Sequence, residues 1–403
     1  MKILYSVHRY GAEVVGGAET ACRLFAEQLV NRGHEVDVLT SCALSYVDWA
    51  DAFEPGKSTL NGVRVHRLPV VQPRDPVSFA DLHAEIMKDP AHCSFSEQWR
   101  WLREMGPVLK GHSRQLLELS GKIDIAVFMT YMYPTTAFGV PVLAGRVPVS
   151  VQPTLHDEPP AYVPWYRSLI RAADSLLFLT PEEEQIAHRL FGASSPSVVT
   201  GIGIDSVAAP LDEGNFRSRH GLGDDPYLIY VGRIDTFKGV SELMRYFVEF
   251  KGRNPSNLRL VLAGERVMEI PDVSDIRYVG FLDETEKMGA ISGSVALVQP
   301  SPFESFSIVL CESWQLGKPT LVQGHSDVLR GQCGRSEGGL PYDGFAEFEV
   351  CLSLLLDNPA LAAELGANGR RYVEKTYTWR AVMDRMEEGL ELGLESFQRR
   401  AAR

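Results

Sequence analysis

The sequence predicts an α/β protein built from two parallel-sheet domains. Strand and helix patterns alternate from residue 2, lapse in a turn-rich stretch around residue 206, and restart at residue 227. The chain has 403 residues, more than a single hydrophobic core of ordinary size organises. In each half a glycine-rich or charged loop directly follows a strand, and open parallel sheets place ligands at such loops.

Taken in order, "KILYSV" (2–7) is a buried strand and "HRYGAEVVGG" (8–17) the loop after it. A helix follows with Ala18, Ala21, Cys22, Phe25 and Leu29 on one face, and Gly33 stops it before the strand "EVDVLT" (35–40). "GVRVHRL" (62–68) carries a further strand signal. Residues 70–110 lose the pattern and read as an insertion of short helices, with Pro73, Pro76, Pro90 and Pro107 and the aromatics Phe95, Trp99 and Trp101. Strands return at "IDIAVFM", "PVSVQPT" and "SLLFLT", with a helix near Trp165 to Ala172 between the last two. "PEEEQIAHRLF" (181–191) opens a helix with proline and three glutamates in its first turn, where the helix dipole favours negative charge.

The turn-rich "TGIGIDSVAAPLDEGNF" (200–216) sets the expected boundaries: a first domain over 1–205 and a second over 206–378. In the second half the strands "YLIYVG", "LRLVLAG", "DIRYVG", "VALVQP" and "PTLVQG" alternate with the helices "VSELMRYFVEF" and "ETEKMGAIS". A final helix, 379–403, lies beyond the last strand signal and is expected to pack back on the first domain.

Composition narrows the function. With 45% hydrophobic and 23% charged residues the chain is of globular-enzyme type, and its net charge of −12 argues against a nucleic-acid binder. Six cysteines without a CxxC pair indicate neither a zinc site nor a disulfide framework. The apolar run at "MKILYSVHRY" is too short for a signal-peptide core, and no run approaches the roughly 20 residues of a membrane helix. The expected location is cytoplasmic. The basic tail "SFQRRAAR" offers a weak peripheral contact to an anionic membrane.

Two segments carry chemistry. In "PFESFSIVLCES" (302–313) Ser307 is placed to cap a buried helix from Ile308 to Leu316, which "GKP" (317–319) ends. Glu312 inside that helix needs a partner, either a salt bridge or the hydroxyls of a sugar ring. Glu304 stands beside the helix N-terminus, whose unpaired N–H groups make an anion seat. A phosphate seat flanked by two carboxylates suits a nucleotide-sugar. In "YVGRIDTFKGV" (230–240) Arg233 and Lys238 follow a strand, either as surface charges or as two cations gripping a diphosphate.

"GRIDTFKG" followed by "PSPFESFSIVLCESWQLGKPTLV" closely resembles the signature of glycosyltransferase family four on the GT-B fold, an E-x7-E motif preceded by an Arg and Lys pair. "VVGGAET" (14–20) resembles that family's first glycine-rich loop and "GIGID" (201–205) its linker, so the resemblance runs from residue 1 to about 380. It implies two Rossmann-like domains facing across a cleft, with the acceptor on the first and the nucleotide-sugar on the second. It implies a retaining hexosyltransferase moving a sugar from a UDP- or GDP-hexose to a hydroxyl of a glycan, lipid-linked saccharide or small molecule. No DxD run is present, and no metal or other cofactor is expected.

Residue by residue, the resemblance gives Arg233 and Lys238 the donor diphosphate and Glu312 the ribose hydroxyls. Glu304 and the backbone at Phe306, Ser307, Ile308 and Val309 take the donor sugar and distal phosphate. Gly16 and Gly17 either let the first loop approach the donor, as the resemblance implies, or simply make a flexible turn before the helix. His156 in "PTLHDEPP" matches the family's active-site histidine, making His156, Arg233, Lys238 and Glu304 the expected catalytic set. Asp157 and Glu158 serve either loop solvation or acceptor contact. Phe95, Trp99, Trp101, Tyr131 and Tyr133 serve either core packing or a sugar acceptor. "GRSEGGLPYDG" (334–344) reads as a glycine-rich loop at the cleft edge. A nucleotide-sugar epimerase of the same fold and a non-catalytic sugar-binding module are the alternatives; a nicotinamide oxidoreductase would need a GxGxxG after the first strand.

Overall fold

The computed structural model describes residues 1–206 and 213–402. Residues 207–212 of the turn-rich stretch lie outside the described residues. The chain forms two units, Met1–Ile202 with Arg380–Arg403, and Gly203–Trp379.

The first unit runs β1 (Lys2–Ser6), α1 (Gly17–Asn31), β2 (Glu35–Ser41), β3 (Gly56–Leu60), β4 (Val63–Leu68), α2 (Pro76–Ile86), α3 (Phe95–Met105), α4 (His112–Ser120) and β5 (Ile125–Met129). It continues with α5 (Pro134–Ala137), α6 (Gly139–Leu143), β6 (Val149–Gln152), α7 (Pro164–Ala172), β7 (Ser175–Phe178), α8 (Pro181–Phe191) and β8 (Ser197–Val199). Its sheet has the order β3-β4-β2-β1-β5-β6-β7-β8, parallel except for the β3/β4 hairpin at one edge. Strand order reverses between β1 and β5, the switch point where such sheets bind ligands.

The segment 70–110 is not a free-standing insertion. Leu82 and Ile86 of α2 and Trp101, Leu102 and Met105 of α3 join the core beneath Leu4, Phe128 and Val151. The reading of its aromatics therefore splits. Trp101 and Tyr131 are fully buried, whereas Phe95 and Trp99 are 68% and 40% exposed.

The second unit runs α9 (Glu213–Arg219), β9 (Tyr227–Val231), α10 (Val240–Arg253), β10 (Arg259–Ala263), β11 (Ile276–Gly280), α11 (Glu284–Ser292), β12 (Ala296–Gln299), α12 (Ile308–Gln315) and β13 (Thr320–Gln323). Then come α13 (Asp327–Ser336), β14 (Gly339–Tyr342), α14 (Phe345–Asp357) and α15 (Pro359–Thr376). Its sheet is all parallel, in the order β11-β10-β9-β12-β13-β14, and reverses between β9 and β12. The segment read as a glycine-rich loop, 334–344, is instead the end of α13 and the edge strand β14. Its glycines serve close packing: a Cβ on Gly338 would meet the Trp314 indole, which donates to the Gly338 carbonyl at 2.8 Å.

The last helix, α16 (Trp379–Ala401), buries Val382, Met383, Met386 and Leu390. Its glycines admit the sheet of the first unit. A Cβ on Gly389 would lie 2.3 Å from Leu177, and one on Gly393 would crowd the hydroxyls of Ser175 and Ser150. Polar ties add to this: Arg32 meets Asp384 and Glu387 at 2.7 Å each, and Arg400 in the basic tail pairs with the buried Asp174. No single helix among the described residues is long and apolar enough to cross a membrane.

Candidate active site

The loops after β9 and β12 leave neighbouring strands at the switch point of the second unit, and their side chains meet there. Lys238 Nζ lies 2.8 Å from Glu304 Oε1, although 66 residues separate them. Gly239 makes this approach possible. It sits at φ 73°, and a Cβ there would lie 2.1 Å from the Pro300 carbonyl oxygen, so no larger residue fits the turn. Arg233 is in the same loop, 2.8 Å from Asp235, whose side chain also accepts the Phe237 N–H at 2.8 Å. Two cations, each paired with a carboxylate, are thus held in the loops after β9 and β12.

Ser307 departs from expectation. It occupies the N-cap position of α12 in the left-handed region, at φ 70°, and its hydroxyl makes no cap bond. Instead Gln299 Nε2 donates to Ser307 Oγ at 3.1 Å, tying the loop to the end of β12. A non-glycine residue held at positive φ stores strain, which collects at functional sites. The helix N–H groups are left uncapped by this side chain. Phe306 turns its ring inward against Tyr377, with ring centroids 4.9 Å apart, so only its backbone can serve a ligand. Ile308 and Val309 begin the helix, half-buried.

Glu312, on the next turns of α12, has found the salt bridge its position demanded. Lys287 Nζ of α11 reaches Glu312 Oε1 at 2.7 Å and Glu284 at 2.9 Å. Burial raises the Glu312 pKa, with Lys287 opposing; burial works to lower the Lys287 pKa, and the two carboxylates outweigh it and raise it. Sequence reading missed Lys287, because nothing in the spacing joins positions 25 apart on different helices.

In the first unit His156 Nδ1 stands 3.3 Å from Glu158 Oε1, which also accepts from Tyr131 Oη at 3.2 Å. Asp157 pairs with Arg189 on α8 and accepts from Tyr162 of its own loop, so its carboxylate is engaged by neighbours. The loop is held from below by Glu183, fully buried, whose two oxygens accept the N–H groups of Leu155 at 2.7 Å and Leu179 at 2.6 Å. Burial pushes the Glu183 carboxyl up to about 7.

Gly16 is the N-cap of α1 and Gly17 its first residue. A Cβ on Gly16 would strike the Glu19 carboxylate, while Gly17 has open space around it. Glu19 is the centre of a buried cluster that sequence reading did not assemble. It accepts from Arg9 and lies 2.8 Å from His8 Nε2, both in the loop after β1. Burial works against the Glu19 charge, but His8 and Arg9 outweigh it and lower its pKa to about 2. The His8 ring lies 3.9 Å from that of Tyr133, in the loop after β5, so this cluster marks the switch point of the first unit. Among the described residues, no three His, Cys, Asp or Glu side chains converge as a metal site requires.

Two parallel-sheet domains with charged loops at their switch points are the architecture of the GT-B fold. Residues 16–203 match the model of the glycosyl transferase 4-like domain, and residues 212–372 that of the glycosyl transferases group 1. The chain belongs to glycosyltransferase family four and is an enzyme of that class, so the non-catalytic reading is set aside. It is 26% identical to a glycogen synthase of Mycobacterium tuberculosis over 404 residues, covering 95% of this chain and 92% of that one. A D-inositol 3-phosphate glycosyltransferase of Acidothermus cellulolyticus is 26% identical over 386 residues, covering 88% and 81%. Among solved structures, sucrose-phosphate synthase from Thermosynechococcus elongatus superposes with a TM-score of 0.68 at 18% identity, covering both chains fully. Anabaena HepE, in complex with UDP and glucose, gives 0.69 at 14% identity, covering 97% of this chain and 99% of that one.

Proposed function

We propose that the protein transfers a hexose, with retention, from a nucleoside diphosphate sugar to a hydroxyl of a saccharide or saccharide-like acceptor. The observation that carries this reading is the meeting of Lys238 and Glu304 at the β9/β12 switch point, beside Arg233 and the uncapped start of α12. Lys238 spends one N–H on Glu304 and keeps two for phosphate oxygens. Arg233 supplies a planar donor set on the same loop. As the bond from the anomeric carbon to the phosphate oxygen breaks, negative charge grows on the leaving diphosphate, and both cations stabilise it. The acceptor oxygen bonds to the anomeric carbon on the same face, and its proton passes to the departing phosphate. Glu312 takes the ribose hydroxyls, and His156 contacts the donor sugar. No divalent ion is assigned a role.

The acceptor belongs to the first unit. Phe95 stacks on Trp165 with ring centroids 5.4 Å apart, and Trp99 lies 4.8 Å from Phe138, an exposed aromatic shelf suited to sugar rings. The donor test is calorimetric titration with UDP, GDP, ADP and their hexose conjugates, followed by transfer assays with and without a chelator. One nucleotide should bind, turnover should survive chelation, and Arg233→Ala or Lys238→Ala should lower kcat by about 100-fold or more. Loss of turnover in the chelator, or full activity in both variants, sinks the reading.

A further inference from the structure

We infer that Lys287 is a positioning residue for donor recognition, holding Glu312 as an oriented carboxylate for the ribose hydroxyls. The inference rests on the donor reading above and extends it to a residue outside the E-x7-E motif.

Glu312 is enclosed, its side chain 12% exposed, and an ionised carboxylate there is costly without a cation. A neutral carboxylic acid would offer a ribose diol one acceptor fewer and a competing O–H donor. Lys287 answers both problems. Its ammonium, 17% exposed and 2.7 Å from Oε1, opposes protonation and fixes the carboxylate rotamer. Oε2 accepts no hydrogen bond from a described residue, which leaves it for a ligand hydroxyl.

Lys287 is itself held in place. Glu284, one turn earlier on α11, takes a second ammonium proton at 2.9 Å while remaining 74% exposed. The third proton points to no described side chain. The other charged or titratable groups acting on this pair are Asp205 in the linker and Cys311 on α12 itself. Arg370, on the α15 helix packed against α12, donates to the Gln315 carbonyl rather than to Glu312. Lys287 is therefore the one cation bonded to this carboxylate among the described residues.

The test is nucleotide titration at about pH 6.5 and about pH 9 on the full chain, using whichever of UDP, GDP and ADP the wild type binds. Wild-type affinity should change little between the two. In Lys287→Met the unpaired Glu312 takes up a proton, so Kd should rise about tenfold or more at the lower pH and recover at the higher one, where Glu312 ionises again. Lys287→Arg, which restores the cation, should bind nearly as wild type does. If the methionine variant does not fold, Lys287→Gln, which keeps a donor without the charge, should show the same recovery with pH. Wild-type affinity in Lys287→Met, or an equal loss at every pH, overturns the inference. Failure of the donor reading looks different: no nucleotide binds the wild type, or Glu312→Gln binds as well as wild type.

Discussion

At the scale of single residues, Glu183 shows how a carboxylate far from the donor loops sets the geometry of His156. Both its oxygens accept backbone N–H groups, one from the loop that carries His156. Its pKa, pushed up to about 7, exceeds the value near 4.5 expected for the unfolded chain. The unfolded state thus releases this proton first as pH rises. Stability that is complete below about pH 4.5 is lost on the way to pH 7, on the order of 3 kcal/mol from this group. Glu183→Gln abolishes that slope, and its amide NH2 faces a backbone N–H that the carboxylate accepted, a loss of about 1–3 kcal/mol. Urea unfolding should place the variant below wild type near pH 5, with the gap narrowing toward pH 8. A gap that stays flat from about pH 5 to 8 would mean instead that the folded carboxylate is anionic throughout that range.

The residues legible in advance were those whose chemistry is local. Arg233, Lys238, Glu304 and Glu312 sit in two short segments whose spacing follows one loop and one helix. His8, Arg9 and Glu19, by contrast, become a site only when the loop after β1 folds back on α1. Ser307 was misread because a serine before an apolar helix is the usual cap, and here a tie to Gln299 pulls it into the left-handed region instead.

At the scale of elements, α3 divides its aromatics between two tasks. Trp101, Leu102 and Met105 face the core, while Phe95 and Trp99 lie on the outer side against Trp165 and Phe138. The capping box of Ser94 and Glu97 fixes where the helix starts and hence which residues share each face. The prolines and lost strand pattern suggested an insertion of short helices, and short helices are found. What the sequence did not show is that they join the core, since the helical period of such short pieces is weak. The edge strands β3, β8 and β14 escaped for a related reason: β3 is nearly all exposed, β8 has three residues, and β14 carries Gly339 and Pro341, so none shows an apolar run. If the outer face of α3 is the acceptor shelf, Trp99→Ala should raise acceptor KM by about tenfold, near the 1–3 kcal/mol of one aromatic platform, and leave nucleotide affinity unchanged. Unchanged acceptor KM would assign Trp99 to packing against Phe138 alone.

At the scale of the whole molecule, the first unit is discontinuous in sequence: residues 1–202 lack their final helix until residues 380–403 return to it. Burial of Val382, Met383, Met386 and Leu390 contributes roughly 6–12 kcal/mol at about 1.5–3 kcal/mol per side chain, an upper estimate. That matches the whole stability of an ordinary domain, about 5–15 kcal/mol. Glycines 389 and 393 make the loss hard to repair, because the surface they fit, over Leu177, Ser150 and Ser175, would become an apolar strip with two hydroxyls. Asp174 would also lose Arg400; burial already raises its pKa, and an unpaired buried carboxylate is costly. A chain ending at Thr378 should therefore fail to fold its first unit. The second unit keeps its own sheet and core, so the truncated chain should still bind the donor nucleotide. Calorimetry should show one transition raised by saturating nucleotide, by about 2.7 kcal/mol at 100 times Kd, and proteolysis should cut within residues 1–202 first. A protected first unit in the truncated chain would show instead that α16 seals a sheet already stable without it.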